Sequence, residues 1–298
     1  MPREELKTGF VSIIGRTNVG KSTLINSLIK QKISITSRKP QTTRNRLVGI
    51  KTQGIHQALL VDTPGFHRGH KRALNRHMNR LALSSLYGVD TVLFIVEALK
   101  WQEEDDFILE RLPKDETKII LIINKVDRIS NKQELLPFIK KISSKKEFLE
   151  VIPISALKGF NIKELEESMF DSLPQGEHLY PHDQVADMSE RFLSSEVIRE
   201  KCITRVGDEI PYRINVTIDE FKEKKDIVFI DATLYVEKKS QKGIVIGQQG
   251  RKLKSIGIAA RKELEDMLQK KIMLKLWVKV KKNWTDNEAL ISLMGYKA

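Results

Sequence analysis

Gly15-Arg16-Thr17-Asn18-Val19-Gly20-Lys21-Ser22 sets the architecture of the first half of this chain. Two glycines separated by four residues, then Lys and Ser, have the spacing of a phosphate loop. The stretch follows an apolar run, Phe10-Val11-Ser12-Ile13-Ile14, and opens a helical pattern, Thr23-Leu24-Ile25-Asn26-Ser27-Leu28-Ile29. Strand, loop and helix in that order place backbone N–H groups at a helix N-terminus, where they point at an anion. Lys21 adds a point charge for β- and γ-phosphates, and the Ser22 hydroxyl suits a Mg²⁺ ligand.

Downstream, Ala58-Leu59-Leu60-Val61 reads as a buried strand that delivers Asp62-Thr63-Pro64-Gly65 at its carboxyl end, where open α/β sheets bind ligands. Asp62 is placed to hold Mg²⁺, usually through water, and the Gly65 N–H to face a γ-phosphate. A further apolar run, Ile119 to Ile123, ends in Asn124-Lys125-Val126-Asp127, and Ser155-Ala156-Leu157 follows later in the chain. The Asp127 carboxylate accepts two hydrogen bonds from a guanine edge, at N1–H and the 2-amino group. Adenine lacks both donors and would leave the carboxylate desolvated and unpaired, at about 1–3 kcal/mol or more. GTP or GDP is therefore the expected ligand. An ATPase or kinase is disfavoured by Asp127, and a relic domain by the intactness of all four motifs.

The 298 residues suffice for two domains, each with its own core. A single cysteine, Cys202, excludes a disulfide framework and a multi-Cys zinc site, and reads as a buried small hydrophobe in a reducing cytoplasm. The N-terminal residues carry no apolar core of a signal peptide, and the longest apolar runs fall far short of the roughly 20 residues a membrane helix needs. Net charge is +13, and Lys242 to Lys282 alone holds twelve Lys or Arg against three acids. Cations so localised suit a polyanion, RNA in preference to acidic lipid.

Residues 8 to 173 alternate apolar strands with helical patterns, as in a mostly parallel sheet flanked by helices. Pro153 puts its strand at an edge. The expected organisation is a nucleotide-binding domain over 1–174, a linker over 175–186 and a second, α+β domain over 187–298. The second domain starts with a helix near Ser189 to Thr204, with Asp187 and Glu190 spaced like a capping box. Strands over Tyr212–Ile218 and Ile227–Val236 follow, with Phe221 to Asp226 turning between them. A short helix, the loop Gly247-Gln248-Gln249-Gly250, a longer helix to about Gln269 and a strand from Ile272 to Val280 complete it. A Gly-x-x-Gly loop between adjacent helices, in the order α-β-β-α-α-β, resembles a type II KH module. There the loop clamps the backbone of about four single-stranded nucleotides.

Together these motifs resemble the Era family of bacterial GTPases, over nearly the whole chain. Gln41-Thr42-Thr43-Arg44 in the first switch, Asp62 to Phe66, Gly243 to Gly250, and Leu276 to Trp284 carry the likeness. The resemblance implies a P-loop G domain followed by a KH-like domain, and slow GTP hydrolysis in small-ribosomal-subunit assembly. It implies the single-stranded 3′ end of small-subunit ribosomal RNA and the 30S subunit as partners. A monomeric, cytoplasmic chain with peripheral contact to the membrane face is also expected. Nucleotide contacts fall on Gly15, Asn18, Val19, Gly20, Lys21, Ser22, Thr23, Asp62, Gly65, Asn124, Lys125, Asp127, Ser155, Ala156 and Leu157. Mg²⁺ ligands fall on Ser22, Asp62 and either Thr42 or Thr43, with Thr43 favoured. RNA contacts fall on Gly247, Gln248, Gln249, Gly250, Arg251, Lys252, Lys281 and Trp284.

Phe66 stands where many small GTPases carry a water-orienting glutamine. Hydrolysis is thus expected to rest on Lys21, Thr43, Gly65, Mg²⁺ and, at Asn18, a recruited K⁺, as in some members of the subgroup. Other features have plain readings. His67, His70 and His77 match no zinc spacing; Glu103 to Asp106 suit a solvated helix start; Trp101 reads as an anchor or core filler. Trp277 alternates with Val278 as a core residue would, and Trp284 suits either base stacking or packing under the C-terminal helix.

Overall fold

A computed structural model describes residues 6–37, 39, 42–66, 72–114, 116–206 and 213–296. Two compact units divide the chain between Asp187 and Met188, the second also including the short stretches 35–42 and 71–76.

The first part of the chain runs β1 (Thr8–Ile14), α1 (Lys21–Ile29), β2 (Leu47–Gln53), β3 (His56–Asp62), α2 (Ala73–Ser84), β4 (Thr91–Glu97), α3 (Glu103–Leu109), β5 (Lys118–Asn124), α4 (Leu135–Ser143), β6 (Glu150–Pro153) and α5 (Ile162–Asp171). The six-stranded sheet has the order β2-β3-β1-β4-β5-β6. Only β2, paired to β3, is antiparallel. Every residue of β4 is buried, as in a strand covered on both faces. Pro153 lies on edge strand β6, where its missing N–H costs no ladder bond. β1 is flanked by β3 on one side and β4 on the other, so the loops after β1 and β3 open side by side at the point where strand order reverses.

The segment expected as a linker is instead bound along the first unit. Gly176 donates to the Leu6 carbonyl at 2.9 Å, Ile50 to the Val185 carbonyl at 2.9 Å and Asp187 to the Val48 carbonyl at 3.1 Å. The side-chain oxygen of Gln57 accepts from the Leu179 and Tyr180 amides. A segment without hydrophobic periodicity thus satisfies the open edge of β2 and covers it. Asp187 does not cap the next helix: its carboxylate accepts from the Val48 amide, and Ser189 caps by accepting from Phe192 N–H at 3.2 Å.

The second unit contains α6 (Glu190–Arg205), β7 (Asn215–Lys224), β8 (Ile227–Val236), α7 (Lys239–Ile246), α8 (Arg251–Leu268), β9 (Lys271–Val280) and α9 (Glu288–Leu293). Its sheet has the order β7-β8-β9, antiparallel then parallel. Val228, Ile230, Ala232, Leu234 and Val236 alternate inward against Ile198, Cys202, Val245, Ile256, Ala260 and Leu264 of the helices. Cys202 is fully buried, and burial pushes its thiol up to about 12, an inert thiol. The expected long turn over Phe221–Asp226 is not one. β7 continues to Lys224 because Phe221 packs on the core between outward-facing charges, and the chain turns at Lys225-Asp226. Tyr212 lies outside the described residues.

Candidate functional site

α1 begins at Lys21, immediately after Gly20, whose φ of 110° is open to glycine at little cost. A Cβ there would also collide with the Asn124 amide. Lys21 is buried, its Nζ donating to the Gly15 and Arg16 carbonyls at 3.1 and 2.9 Å. Burial, with Arg16 nearby, lowers its pKa to about 8 against the attraction of Asp62 and Asp105. The ammonium is thus desolvated, held by neutral carbonyls and short of anionic partners: a phosphate supplies the missing charge.

Ser22 Oγ lies 2.8 Å from Thr43 Oγ1 and donates to Asp62 Oδ2 at 3.4 Å. Ser34 Oγ donates to the same oxygen at 2.7 Å, an addition that motif spacing offers no means to find. Burial raises the Asp62 pKa, and its Oδ1 is buried with no hydrogen-bond partner among the described residues. Two hydroxyls and an under-satisfied carboxylate form an oxygen set that fits Mg²⁺. Of the two candidate threonines only Thr43 joins this set; Thr42 Oγ1 donates locally to the Lys39 carbonyl at 2.7 Å.

The base end is assembled from β5 and the loop after β6. Asn124 ties two loops together, its Nδ2 donating to the Val19 carbonyl at 2.8 Å and its Oδ1 accepting from Ala156 N–H at 3.0 Å. Lys125, at φ 68°, reaches back to the Asn18 carbonyl at 2.6 Å and to Glu97 at 2.5 Å. Burial alone would raise Glu97, but hydrogen bonds from Lys100 and Lys125 outweigh it and hold its carboxyl low. Asp127 is exposed, and its Oδ1 accepts from Ser155 Oγ at 2.5 Å, leaving Oδ2 for a ligand. Leu157 is 67% exposed at the rim. Thr23 follows Ser22 in the first turn of α1, and Val19 is buried under the loop.

Phe66 is buried, its ring stacked on Phe107 at 4.4 Å and its N–H donating to the Gly15 carbonyl at 3.3 Å. It serves the core between β4 and α3 and offers nothing polar to a phosphate. A Cβ on Gly65 would lie 2.8 Å from Lys21 Nζ, so glycine leaves room for the ammonium. The acidic run at α3 is not uniformly solvated. Asp105 is fully buried, closes a capping box with Gln102 and accepts from Arg16 Nε at 3.0 Å. Arg16 also donates to the Lys100 carbonyl at 3.1 Å, so the phosphate loop is braced on α3. Burial raises the Asp105 pKa against the pull of Arg16. Nothing in the run of four acids distinguishes Asp105; only the helix phase selects it.

In the second unit, Gly247 to Gly250 join α7 to α8. Gly247 (φ 72°, ψ 176°) lies in a region glycine alone favours, and a Cβ there would be 2.7 Å from that of Lys252. Gly250 caps α8 at φ 74°, and Gln248 and Gln249 are exposed. Arg251 donates to Gln249 Oε1 at 3.2 Å, and Lys252 follows in the first turn of the helix. Lys281 is exposed just past β9, its N–H donating to the Val236 carbonyl at 2.8 Å. Trp284 corrects the expectation of an RNA contact. Its side chain is fully buried, stacked near Tyr296 at 6.1 Å with Nε1 donating to the Arg213 carbonyl. No ring face is left for a base. Trp277, by contrast, is 58% exposed, because in the alternation of β9 it is Val278 that faces the core.

His77 is buried, His67 and His70 lie outside the described residues, and no cluster of metal-ligating side chains occurs among the described residues. Among them no helix is long and apolar enough to cross a membrane.

A phosphate loop, an oxygen set for Mg²⁺ and a carboxylate for the base make the first unit a guanine-nucleotide-binding P-loop domain, to which a KH-like unit is appended. Residues 10–125 match the family model described as 50S ribosome-binding GTPase, and 209–285 match the KH domain model. The chain is 49% identical over 297 residues to GTPase Era of Histophilus somni (strain 129Pt), covering 99% of each. It is 47% identical over 291 residues to that of Marinobacter nauticus, covering 98% of this chain and 95% of the other. The structure of Era in complex with MgGDPNP and nucleotides 1506–1542 of 16S ribosomal RNA superposes with a TM-score of 0.94 at 38% identity, covering 98% of this chain and all of that one. A point variant of Aquifex aeolicus Era bound to GDP·AlF4⁻ gives the same score at 39% identity and the same coverage. The chain belongs to the Era family of GTPases.

Proposed function

We propose that this chain is a GTP-hydrolysing switch that binds the single-stranded 3′ end of small-subunit ribosomal RNA and acts in 30S assembly in the cytoplasm. One observation carries the reading: Lys21, Ser22, Thr43 and Asp62 converge at the phosphate loop, while Asn124 ties Val19 of that loop to Ala156, next to the Ser155–Asp127 pair of the base site. RNA binding is supported by the glycine-framed loop at the N-terminus of α8 and by the RNA held by the homologous Era structure. We assign nucleotide turnover to residues 1–174 and RNA binding to 187–298, in a chain that acts as a monomer.

Lys21 neutralises the β- and γ-phosphates, and the Gly65 N–H faces the γ-phosphate. Mg²⁺, which Ser22, Thr43 and Asp62 would hold, supplies charge neutralisation between those phosphates. Phe66 cannot orient the attacking water, so intrinsic turnover is slow, on the order of 10⁻⁴–10⁻² s⁻¹ as in unassisted small GTPases. Main chain, a K⁺ recruited through Asn18, or a partner takes over that task. Thr43 reports the state of the site, since its hydroxyl belongs to the oxygen set the γ-phosphate completes.

The test uses the full-length chain, GTP, and a labelled RNA of the 16S 3′ end. Replacing Gln248 and Gln249 by Asp sets two negative charges beside the clamped phosphates. Coulomb repulsion at ~4 Å amounts to a few kcal/mol before screening. Affinity for the 16S 3′ end should fall steeply, leaving only the residual binding that other surfaces of the chain supply, while GTP binding persists. Undiminished RNA binding by this variant would refute the loop's role.

A further inference from the structure

The sheet of the second unit has two unlike faces. Ile272, Leu274, Leu276, Val278 and Val280 of β9 pack with the helices. The residues between them, Lys271, Met273, Lys275, Trp277 and Lys279, are all exposed on the other side. Register continues this face across the sheet: Lys222, Phe229 and Met273 share one row, and Glu220, Asp231 and Lys275 the next. Thr233, which is fully buried, lies beside Trp277, and Tyr235 beside Lys279; at that end the C-terminal segment closes the face, Tyr296 Oη donating at 2.7 Å to Asn215, the register partner of Tyr235. Met273 is 51% and Trp277 58% exposed, although each carries a large apolar surface.

We propose that the open part of this face, along Met273, Lys275, Trp277 and Lys279 of β9, is a second nucleic-acid surface, specific for unpaired strands and separate from the Gly247–Gly250 loop. Trp277, flanked at about 6–7 Å by Lys275 and Lys279 two residues either way, pairs a stacking plane with a cation on each side. That is the combination used for single strands: an aromatic ring for the base, ammonium groups for the phosphates. Lys224 lies over the Phe229 ring at 5.9 Å, repeating the pattern on the neighbouring strands. Asp231 stands among these groups and suits the ring N–H and amine donors of bases, such as uracil N3–H, while Glu220 is ion-paired with Lys222. Asp219 accepts from Thr233 Oγ1 at 2.6 Å on the same face. Carboxylates repel the phosphates of lipid and of RNA alike, but only a nucleic acid brings base N–H donors that hydrogen-bond to them, so a lipid surface is the poorer match. A duplex is also a poor match, because its bases are already stacked. α7 and α8 pack on the opposite face of the sheet, so occupancy of the loop leaves this surface open.

The probe is a fluorescein-labelled 20-nucleotide oligouridylate, titrated into the full-length Gln248→Asp/Gln249→Asp variant so that the loop does not contribute. Binding should persist and quench tryptophan fluorescence. Trp284 is fully buried and Trp101 only partly exposed, so Trp277→Phe assigns the quenched emission. Trp277→Ala should weaken binding about tenfold or more, and Trp277→Phe should retain most of it. Lys275→Glu/Lys279→Glu should lower the salt slope by about 1.4, the value for two single-strand phosphate contacts. A 20-base-pair RNA duplex should not compete. Equal affinity of the loop variant with and without Trp277→Ala overturns the proposal. So does loss of binding to phosphatidylglycerol vesicles, or of self-association, on Trp277→Ala with oligouridylate binding unchanged.

Discussion

Lys21 offers the sharpest test of the phosphate site, because its environment ties nucleotide affinity to pH. In the free chain burial lowers its pKa to about 8. A bound polyphosphate favours the charged form and returns the pKa to its ordinary range or above. At pH 8 about half of the free chain carries a neutral Lys21, and at pH 9 about nine-tenths does. Affinity for GTP should therefore be fully present below about pH 7 and fall as pH rises, about twofold at pH 8 and about tenfold at pH 9. Binding at pH 8 should take up about half a proton. Titration calorimetry in two buffers of different ionisation enthalpy reads that number directly. From about pH 7.5 to 8.5 the ligand lies above its phosphate ionisation near 6 and below that of guanine N1–H; nearer pH 9 that N–H begins to titrate, so the loss there is read against Lys21→Arg, whose ligand titrates identically. Stability of the nucleotide-free fold should move oppositely. A lysine with a depressed folded pKa penalises the fold while charged in both states. The penalty, about 3 kcal/mol, is relieved as pH climbs from about 8 towards the ordinary lysine value. Lys21→Arg, charged throughout, should flatten both profiles. Affinity constant over the window with no proton uptake would refute the account of a desolvated ammonium waiting for phosphate.

Asp127→Asn should shift preference from guanine to xanthine nucleotides, since an amide donates where the carboxylate only accepts; unchanged GTP preference in a competition assay sinks the assignment. If Asn18 recruits K⁺, exchanging K⁺ for Na⁺ should slow GTP turnover, and Asn18→Ala should abolish the difference; equal rates in both salts remove the cation from the mechanism. Asp105→Ala leaves the Arg16 guanidinium without its carboxylate and should cost about 3 kcal/mol or more in urea unfolding, with weaker nucleotide binding; Glu104→Ala, one residue away, should be nearly neutral. Trp284→Ala empties a fully buried site and should cost about 3–5 kcal/mol. Trp284→Phe should recover much of that stability, and RNA affinity should follow the folded fraction alone.

The class of fold, both motif-bearing loops and the ligand are legible in the order of residues along the chain. Those features depend on local order: glycines where the backbone takes φ of 110° or 72°, an apolar strand before each nucleotide loop, and a carboxylate after β5. Local rules apply there because strand, turn and helix N-terminus are set by neighbours within a few residues. What depends on phase and distance was fixed by packing in three dimensions. Either threonine of the first switch satisfied the motif, yet only Thr43 reaches Ser22, 21 positions away. In Glu103 to Asp106 all residues look alike, and the angle at which α3 meets the phosphate loop buries Asp105 alone of the four side chains under Arg16. Trp277 and Trp284 exchanged the roles their surroundings suggested. Period-two alternation in β9 cannot say which side the helices cover, and the chain after β9 folds back so that Tyr296 and the Arg213 carbonyl enclose the second indole. The stretch 175–186 carried no hydrophobic period, because it is held largely through its own backbone groups, bonded to an open strand edge and to the Gln57 side chain, and those bonds are blind to its side-chain types.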